Sequence, residues 1–252
     1  MKQLPPFSSL SVVVPAYNEE RRLSPTLDRL LAYLPDMVRD FEVIVVDDGS
    51  RDRTFEIISD RSAGDPRIKC VRHGQNRGKG AAVKSGVALA SKRWVLLVDA
   101  DLGVPIEEFE LIWPHVERAP IVIGSKRVPG MDADQPAWRK FLGGIGQSLI
   151  RNFCVDGFYD TQCGFKLIRG DIARGLFRYG RLDGFGYDFE FLWLAQRANI
   201  DVAEVPVNVR DDFEGTVSLK SYVRVLAELA NFQWGKLTGA YDDAPLRAPS
   251  GG

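Results

Sequence analysis

Short unbroken apolar runs recur through the first part of the chain, and each ends in polar, turn-forming residues. Ser11-Val12-Val13-Val14-Pro15 comes first and Glu42-Val43-Ile44-Val45-Val46-Asp47 second. Ile68-Lys69-Cys70-Val71 and Trp94-Val95-Leu96-Leu97-Val98 follow. Runs of this kind, without apolar–polar alternation, predict strands buried on both faces. Between the first two, Leu23, Leu27, Leu30, Leu31 and Leu34 fall at helical spacing, and Pro35 is expected to stop that helix. Ser50 or Asp52 is placed to cap a helix through Ile58. The glycine-rich Asn76-Arg77-Gly78-Lys79-Gly80 opens a helix from Ala81 to about Ala90. Strand–helix alternation of this kind predicts an α/β fold: a doubly wound, mostly parallel sheet with helices on both faces.

The second half is patterned differently. Strands are expected at Ile121-Val122-Ile123-Gly124, from Cys163 to Ile168 and from Val202 to Val209. Helical period marks Arg139 to Phe153, Tyr187 to Ala198 and Ser221 to Trp234, and Val128 to Pro136 reads as a loop. No linker separates the halves. We expect one domain over 11–238, a short N-terminal extension over 1–10, and a polar, disordered tail over 239–252.

Composition narrows the class. With 252 residues and a formal net charge of −1, the chain lacks the basic footprint of a nucleic-acid binder. Three cysteines, in no Cys-x-x-Cys spacing, suggest a reducing compartment. The two histidines stand apart in sequence, which disfavours a histidine metal site or triad. No signal peptide opens the chain, and no run reaches the roughly 18 apolar residues of a membrane span.

The candidate chemistry lies where apolar runs end. Asp99 and Asp101 follow a buried strand, two residues apart and so on one face. Paired hard oxygen ligands suit Mg²⁺ or Mn²⁺. Asp47-Asp48-Gly49-Ser50 and Pro15-Ala16-Tyr17-Asn18-Glu19 end other strands and should share that rim. An aspartate there can take hydrogen bonds from a nucleobase or ribose, and Tyr17 can stack on a base. Lys79, at a helix N-terminus, could meet a phosphate, assisted by backbone N–H groups. The spacing is not that of a P-loop, and no Gly-x-Gly-x-x-Gly follows the first strand.

Taken together these segments resemble glycosyltransferase family two. The carriers are Val14 to Glu19, Val45 to Ser50 with Asp52 and Thr54, Asn76 to Gly80 and Asp99-Ala100-Asp101. Asp160-Thr161-Gln162-Cys163-Gly164-Phe165-Lys166 and Gly184-Phe185-Gly186-Tyr187-Asp188-Phe189-Glu190 resemble its polyprenyl-phosphate branch, the dolichyl-phosphate glucose and mannose synthases. The resemblance implies a GT-A fold, a nucleotide-sugar donor and a polyprenyl-phosphate acceptor. It implies that Pro15, Ala16, Tyr17, Glu19 and Asp48 line the nucleoside pocket, with Asp47, Gly49, Lys79 and Ala100 also on the donor side. Asp99, Asp101 and Gln162 would hold the metal. Asp101, Arg127 and Asp188 would carry catalysis. Arg127, Arg139 and Arg210 would hold the acceptor phosphate, Glu190 would lie near the sugar, and Arg210 and Lys220 would flank a late loop.

The reaction so implied is inverting, with UDP-glucose as the expected donor and GDP-mannose, a soluble acceptor, or donor binding without catalysis as alternatives. A lipid acceptor implies a peripheral enzyme at the cytoplasmic face of a membrane. Two apolar stripes flanked by cations could lie in that interface. One comprises Phe141, Ile145, Leu149, Ile150 and Phe153; the other comprises Tyr222, Val225, Leu226, Leu229 and Phe232.

Overall fold

A computed structural model describes residues 9–126, 155–209 and 219–244. Within them the strands are β1 (Ser9–Ala16), β2 (Asp40–Asp47), β3 (Ile68–Arg72), β4 (Trp94–Leu97), β5 (Ile121–Ser125), β6 (Lys166–Arg169) and β7 (Val202–Pro206). They form one sheet in the order β3-β2-β1-β4-β6-β5-β7. Neighbouring pairs are parallel except that β6 runs antiparallel to both β4 and β5. The helices are α1 (Leu23–Met37), α2 (Thr54–Gly64), α3 (Lys79–Leu89), α4 (Phe109–Ile112), α5 (Gly170–Tyr179), α6 (Tyr187–Arg197) and α7 (Leu219–Leu237).

Alternation of side chains along the strands explains the unbroken apolar runs. Val13, Ile44, Val46, Val95 and Leu97 point to one layer, with α3, α5, α6 and α7. Val12, Val14, Val43, Val45, Leu96 and Val98 point to the other, with α1, α2 and α4. Each buried Val, Leu or Ile stabilises the fold by about 1.5–3 kcal/mol relative to its exposed state. Both faces must therefore be apolar.

Several expectations are corrected. α1 continues past Pro35 to Met37. Met37 and Val38 are buried, and Val38 N–H closes the last turn on Leu34 O at 2.8 Å, so packing holds the turn that proline weakens. α5 was not anticipated from the sequence. Strand β6 starts only at Lys166, because residues 160–165 form a loop over the site. Tyr241 and Ala244 are buried against the core, so ordered chain extends beyond 238 into the expected tail. At the other end β1 takes in Ser9 and Leu10 from the expected extension.

Register sets the rim. β1 and β2 end together, Ala16 opposite Asp47. β4 ends with Leu97 paired to Val13, and the reversed β6 begins there with Lys166 opposite Leu97 and Ile123. Pro15 lies beyond the β1–β4 pairing, where its missing N–H leaves no ladder bond unmade.

Candidate active site

Two loops at the rim are stitched together. Asn18, in the left-handed region at φ 56°, donates its N–H to Ser50 Oγ at 2.9 Å, and its Oδ1 accepts Arg51 N–H at 2.9 Å. Glu19 N–H donates to Thr54 Oγ1 at 2.7 Å, and Glu20 N–H to Asp52 Oδ2 at 3.1 Å. This leaves Tyr17 40% exposed, free to meet a planar ligand. Glu19 is ion-paired with Arg22 at 2.7 Å. Burial nevertheless raises its carboxyl above the ordinary range against that pairing.

Asp47 is fully buried; its Oδ1 accepts Ser50 N–H at 2.9 Å, and Arg72 Nε lies 3.2 Å from Oδ2. Gly49, at φ 71°, makes the turn that follows, and a Cβ there would lie 2.4 Å from the Gln75 backbone. Asp48 organises the next loop. Its Oδ1 meets His73 Nδ1 at 2.7 Å and Arg77 N–H at 3.0 Å. Its Oδ2 accepts from Asn76 Nδ2 at 2.9 Å and Gly78 N–H at 2.7 Å. Four partners fill the acceptor capacity of one carboxylate. In this structure Asp48 therefore shapes the pocket wall. His73, which sequence reasoning set aside, completes the arrangement by reaching Ser85 Oγ through Nε2 at 2.9 Å.

Lys79 is the first residue of α3. The N–H groups behind it are already taken: Gly80 N–H donates to Gly184 O at 3.1 Å and Ala81 N–H to Asp183 O at 3.0 Å. The expected phosphate cradle of backbone amides is thus closed, and the Lys79 side chain carries the charge alone. Its ammonium lies 2.6 Å from Asp99 Oδ1. Burial opposes its charge, but Asp99, Asp188 and Asp101 outweigh burial and hold its pKa above the ordinary lysine value. Burial likewise works against a charged Asp99, yet Lys79, Lys126 and Lys166 hold its carboxyl below the usual range.

The Asp99–Asp101 turn is fixed from α1, where Thr26 Oγ1 donates to Ala100 O at 2.7 Å. Asp101 Oδ1 accepts Gly103 N–H at 3.0 Å, and Arg22 Nη1 stands 3.7 Å from Oδ2. The loop carrying Gln162 closes on Asp99. A Cβ on Gly164 would lie 2.4 Å from Asp99 Oδ2, so the bare glycine is what lets the carboxylate keep this position. Asp160 shapes this loop, accepting Gln162 N–H at 3.0 Å and Lys126 N–H at 3.1 Å.

Asp188 and Lys166 form a fully buried ion pair, and Lys166 also donates to Cys163 O. Burial raises the Asp188 carboxyl in spite of Lys166 and Lys79. Glu190, expected near the sugar, is instead buried in the fold. It accepts Arg181 N–H at 2.8 Å and Leu182 N–H at 3.0 Å, and takes the Tyr241 hydroxyl. Arg127, Arg139 and Arg210 lie outside the described residues, as do the stripe from Phe141 to Phe153 and the side chains of Lys220 and Tyr222. Of the second stripe, Leu229 and Phe232 are buried and Val225 packs against the core, whereas Leu226 is exposed.

Metal chemistry can be tested on these donors. Asp99 and Asp101 are each paired with a cationic side chain, Lys79 and Arg22, and both carboxylates offer hard oxygens to a divalent ion that takes the place of those partners. The set fits Mg²⁺ or Mn²⁺. Among the described residues no group of three or more His, Cys, Asp or Glu side chains is gathered for a metal.

Residues 11–177 match the family model for Glycosyl transferase family 2. The chain belongs to this family. It is therefore a glycosyltransferase. It is 36% identical to dolichyl-phosphate beta-glucosyltransferase ALG5C of Trichomonas vaginalis, over 86% of this chain and 68% of that protein. The dolichyl-phosphate beta-glucosyltransferase of Mus musculus is 34% identical over 94% of this chain and 78% of its own. Among solved structures, mannosyl-3-phosphoglycerate synthase from Rubrobacter xylanophilus superposes with a TM-score of 0.70 at 16% identity, over 97% of this chain and 78% of that one. Glucosyl-3-phosphoglycerate synthase from Mycobacterium tuberculosis, solved with Mn²⁺ and UDP-glucose, gives 0.61 at 19% identity, over 97% and 81%. These likenesses show the GT-A fold. Among the described residues no helix is long and apolar enough to cross a membrane.

Proposed function

We propose that this glycosyltransferase moves glucose from UDP-glucose to a dolichyl-type polyprenyl phosphate, giving a β-linked product. The observation that carries the reading is the charged knot at the end of β4, where Lys79 pairs with Asp99 at 2.6 Å beside Asp101. The names of the similar proteins supply the sugar and the acceptor class. Asp99, Asp101 and Gln162 would hold Mg²⁺ or Mn²⁺, which supplies electrostatic stabilisation to a departing diphosphate. Lys79 adds a fixed positive charge on the same side, where charge develops as the bond to the sugar breaks. Tyr17 and the loop pinned by Asp48 bound the nucleoside.

A phosphate acceptor is anionic near neutral pH, so its oxygen attacks without a strong base. In keeping with this, the buried His73 is engaged by Asp48 and Ser85 and serves as no free base. A single displacement inverts the anomeric carbon, taking an α-linked donor to a β-linked product. Arg127, Arg139 and Arg210 are proposed for the acceptor phosphate.

A lipid acceptor also brings the enzyme to a membrane surface, taken here as the cytoplasmic face. The exposed Leu226, Trp234 and Leu237 on one side of α7 support that reading. The test is transfer of radiolabelled glucose to polyprenyl phosphate with Mn²⁺, and NMR of the product. Transfer giving a β linkage, abolished in Asp101→Ala, is expected. An α linkage, or transfer from GDP-mannose alone, overturns the reading.

A further inference from the structure

Glu228 lies on α7, and its half-buried carboxylate turns inward, toward the turn that precedes α6. Gly186 N–H donates to Glu228 Oε2 at 2.7 Å; burial raises the Glu228 carboxyl above its ordinary range, against the hydrogen bonds of Gly186 and Gly184 N–H. The fit is close: a Cβ on Gly184 would lie 1.9 Å from Glu228 Oε1. The same turn caps α3. Its Asp183 and Gly184 carbonyls accept the N–H groups of Ala81 and Gly80 at 3.0 and 3.1 Å. Bare glycines let it approach, since a Cβ on Gly78 would lie 2.4 Å from Asp183 O and one on Gly80 2.9 Å from Gly184 O. Asp183 adds an ion pair to Lys84 at 2.6 Å. Upstream, at Arg181 and Leu182, a different carboxylate, Glu190, holds the chain. Glu228 is thus the grip on the half of the turn nearer α6, while that turn holds the N-terminus from which Lys79 reaches Asp99.

We infer that Glu228 is a positioning residue for Lys79: by holding the Gly184–Gly186 turn it fixes the first turn of α3 and so the place of the Lys79 ammonium beside Asp99. The inference rests on the reading of Lys79 as part of the donor site. Glu228 touches no substrate in this account and acts through three links: its own carboxylate, the turn, and the α3 N-terminus. Loss of the grip leaves Lys79 charged but displaced, and displacement of about 1 Å at a reacting centre can cost on the order of 100-fold in rate.

The test is a double-variant cycle, with initial rates read by radiolabelled glucose transfer and thermal melts run in parallel. Glu228→Ala is expected to lower kcat/KM by about 10- to 100-fold in protein that is still folded at the assay temperature. Glu228→Gln, which keeps one acceptor oxygen, is expected to recover part of that loss. In a Lys79→Ala background either Glu228 change should add little. Full activity in Lys79→Ala would remove Lys79 from the donor site and the inference with it. An impaired Lys79→Ala in which Glu228→Gln or Glu228→Ala still costs its full factor would overturn the inference alone, leaving the donor site standing. Should Glu228→Ala not fold, the cycle with Glu228→Gln decides by the same comparison.

Discussion

Lys79 Nζ lies 2.6 Å from Asp99 Oδ1, on the spot where a divalent cation would otherwise neutralise that carboxylate. A metal and the ammonium therefore compete for one oxygen. When a metal and a diphosphate arrive together, the ammonium can pass from carboxylate to phosphate without losing a partner. Removing it should move metal affinity and catalysis in opposite directions. Lys79→Ala is expected to bind Mn²⁺ at least as tightly as the parent by titration calorimetry, while transfer falls by roughly 100-fold, the order seen when one charge-stabilising donor is lost. Weaker Mn²⁺ binding in the variant would show that the two do not share Asp99.

Gly164 gives a second test of the same carboxylate. An added methyl would sit 2.4 Å from Asp99 Oδ2 and 2.5 Å from its Cγ, closer than carbon atoms approach. Either Asp99 rotates away or the 160–165 loop lifts. Gly164→Ala should cut transfer by about 100-fold through misplacement of the ligand. Thermal stability should fall little, because Asp99 sits at a partly open rim. A variant that melts far earlier yet keeps its specific activity would place the clash elsewhere.

These tests also separate what the chain made legible from what it did not. Asp99 and Asp101 could be singled out because an apolar run leads into them, but the strand period expected to put them on one face does not apply: β4 ends at Leu97, and both lie in the turn beyond it. The layers could be found because Val12 and Val13 are both apolar and must face opposite covers. Gly164 and Glu228 were hidden, since their roles depend on contacts between segments far apart in sequence that no local period encodes. The part His73 plays in the loop was hidden too: its partners Asp48 and Ser85 come from separate elements. The closed N-terminus of α3 is a backbone event, made by the carbonyls of Asp183 and Gly184, and side-chain chemistry gives no sign of it. Pro35 misled because burial of Met37 outweighs a single lost helix bond.

Acid stability should depend on Glu42, far from the rim. Burial alone would raise its carboxyl, but hydrogen bonds from Lys69, Ser11 and Ser91 prevail and bring its pKa down to about 2. An unfolded glutamate titrates near 4.3, on the order of two units higher. The folded value is the lower one, so its contribution is complete above about pH 5 and is lost as pH falls from about 4 toward 2. Glu42→Gln is expected to be less stable at pH 7 and to show a flatter decline over that acid window, measured by urea unfolding at several pH values. Parallel curves for parent and variant would mean that Glu42 titrates alike in both states.

The Lys166–Asp188 pair joins stability to chemistry, and its two roles can be told apart. Both groups are buried, and among the described residues the Lys166 ammonium donates to Asp188 and the Cys163 carbonyl in place of water. Removing one member leaves the other charged in a dry site, which typically costs about 3–5 kcal/mol. At about 2–4 °C per kcal/mol for a domain of this size, Lys166→Met should melt about 10 °C earlier. Removing both charges removes that penalty, so Lys166→Met with Asp188→Asn should regain most of the loss. Activity should not follow. Asp188 is one of the three acids that hold Lys79 charged, and a stable but neutral pair no longer supplies that field. The double variant is therefore expected to melt near the parent and to transfer glucose about 10-fold more slowly, in the range typical of a lost electrostatic contact. A double variant as unstable as Lys166→Met alone would mean that packing of the lysine stem, not its charge, is what the site requires.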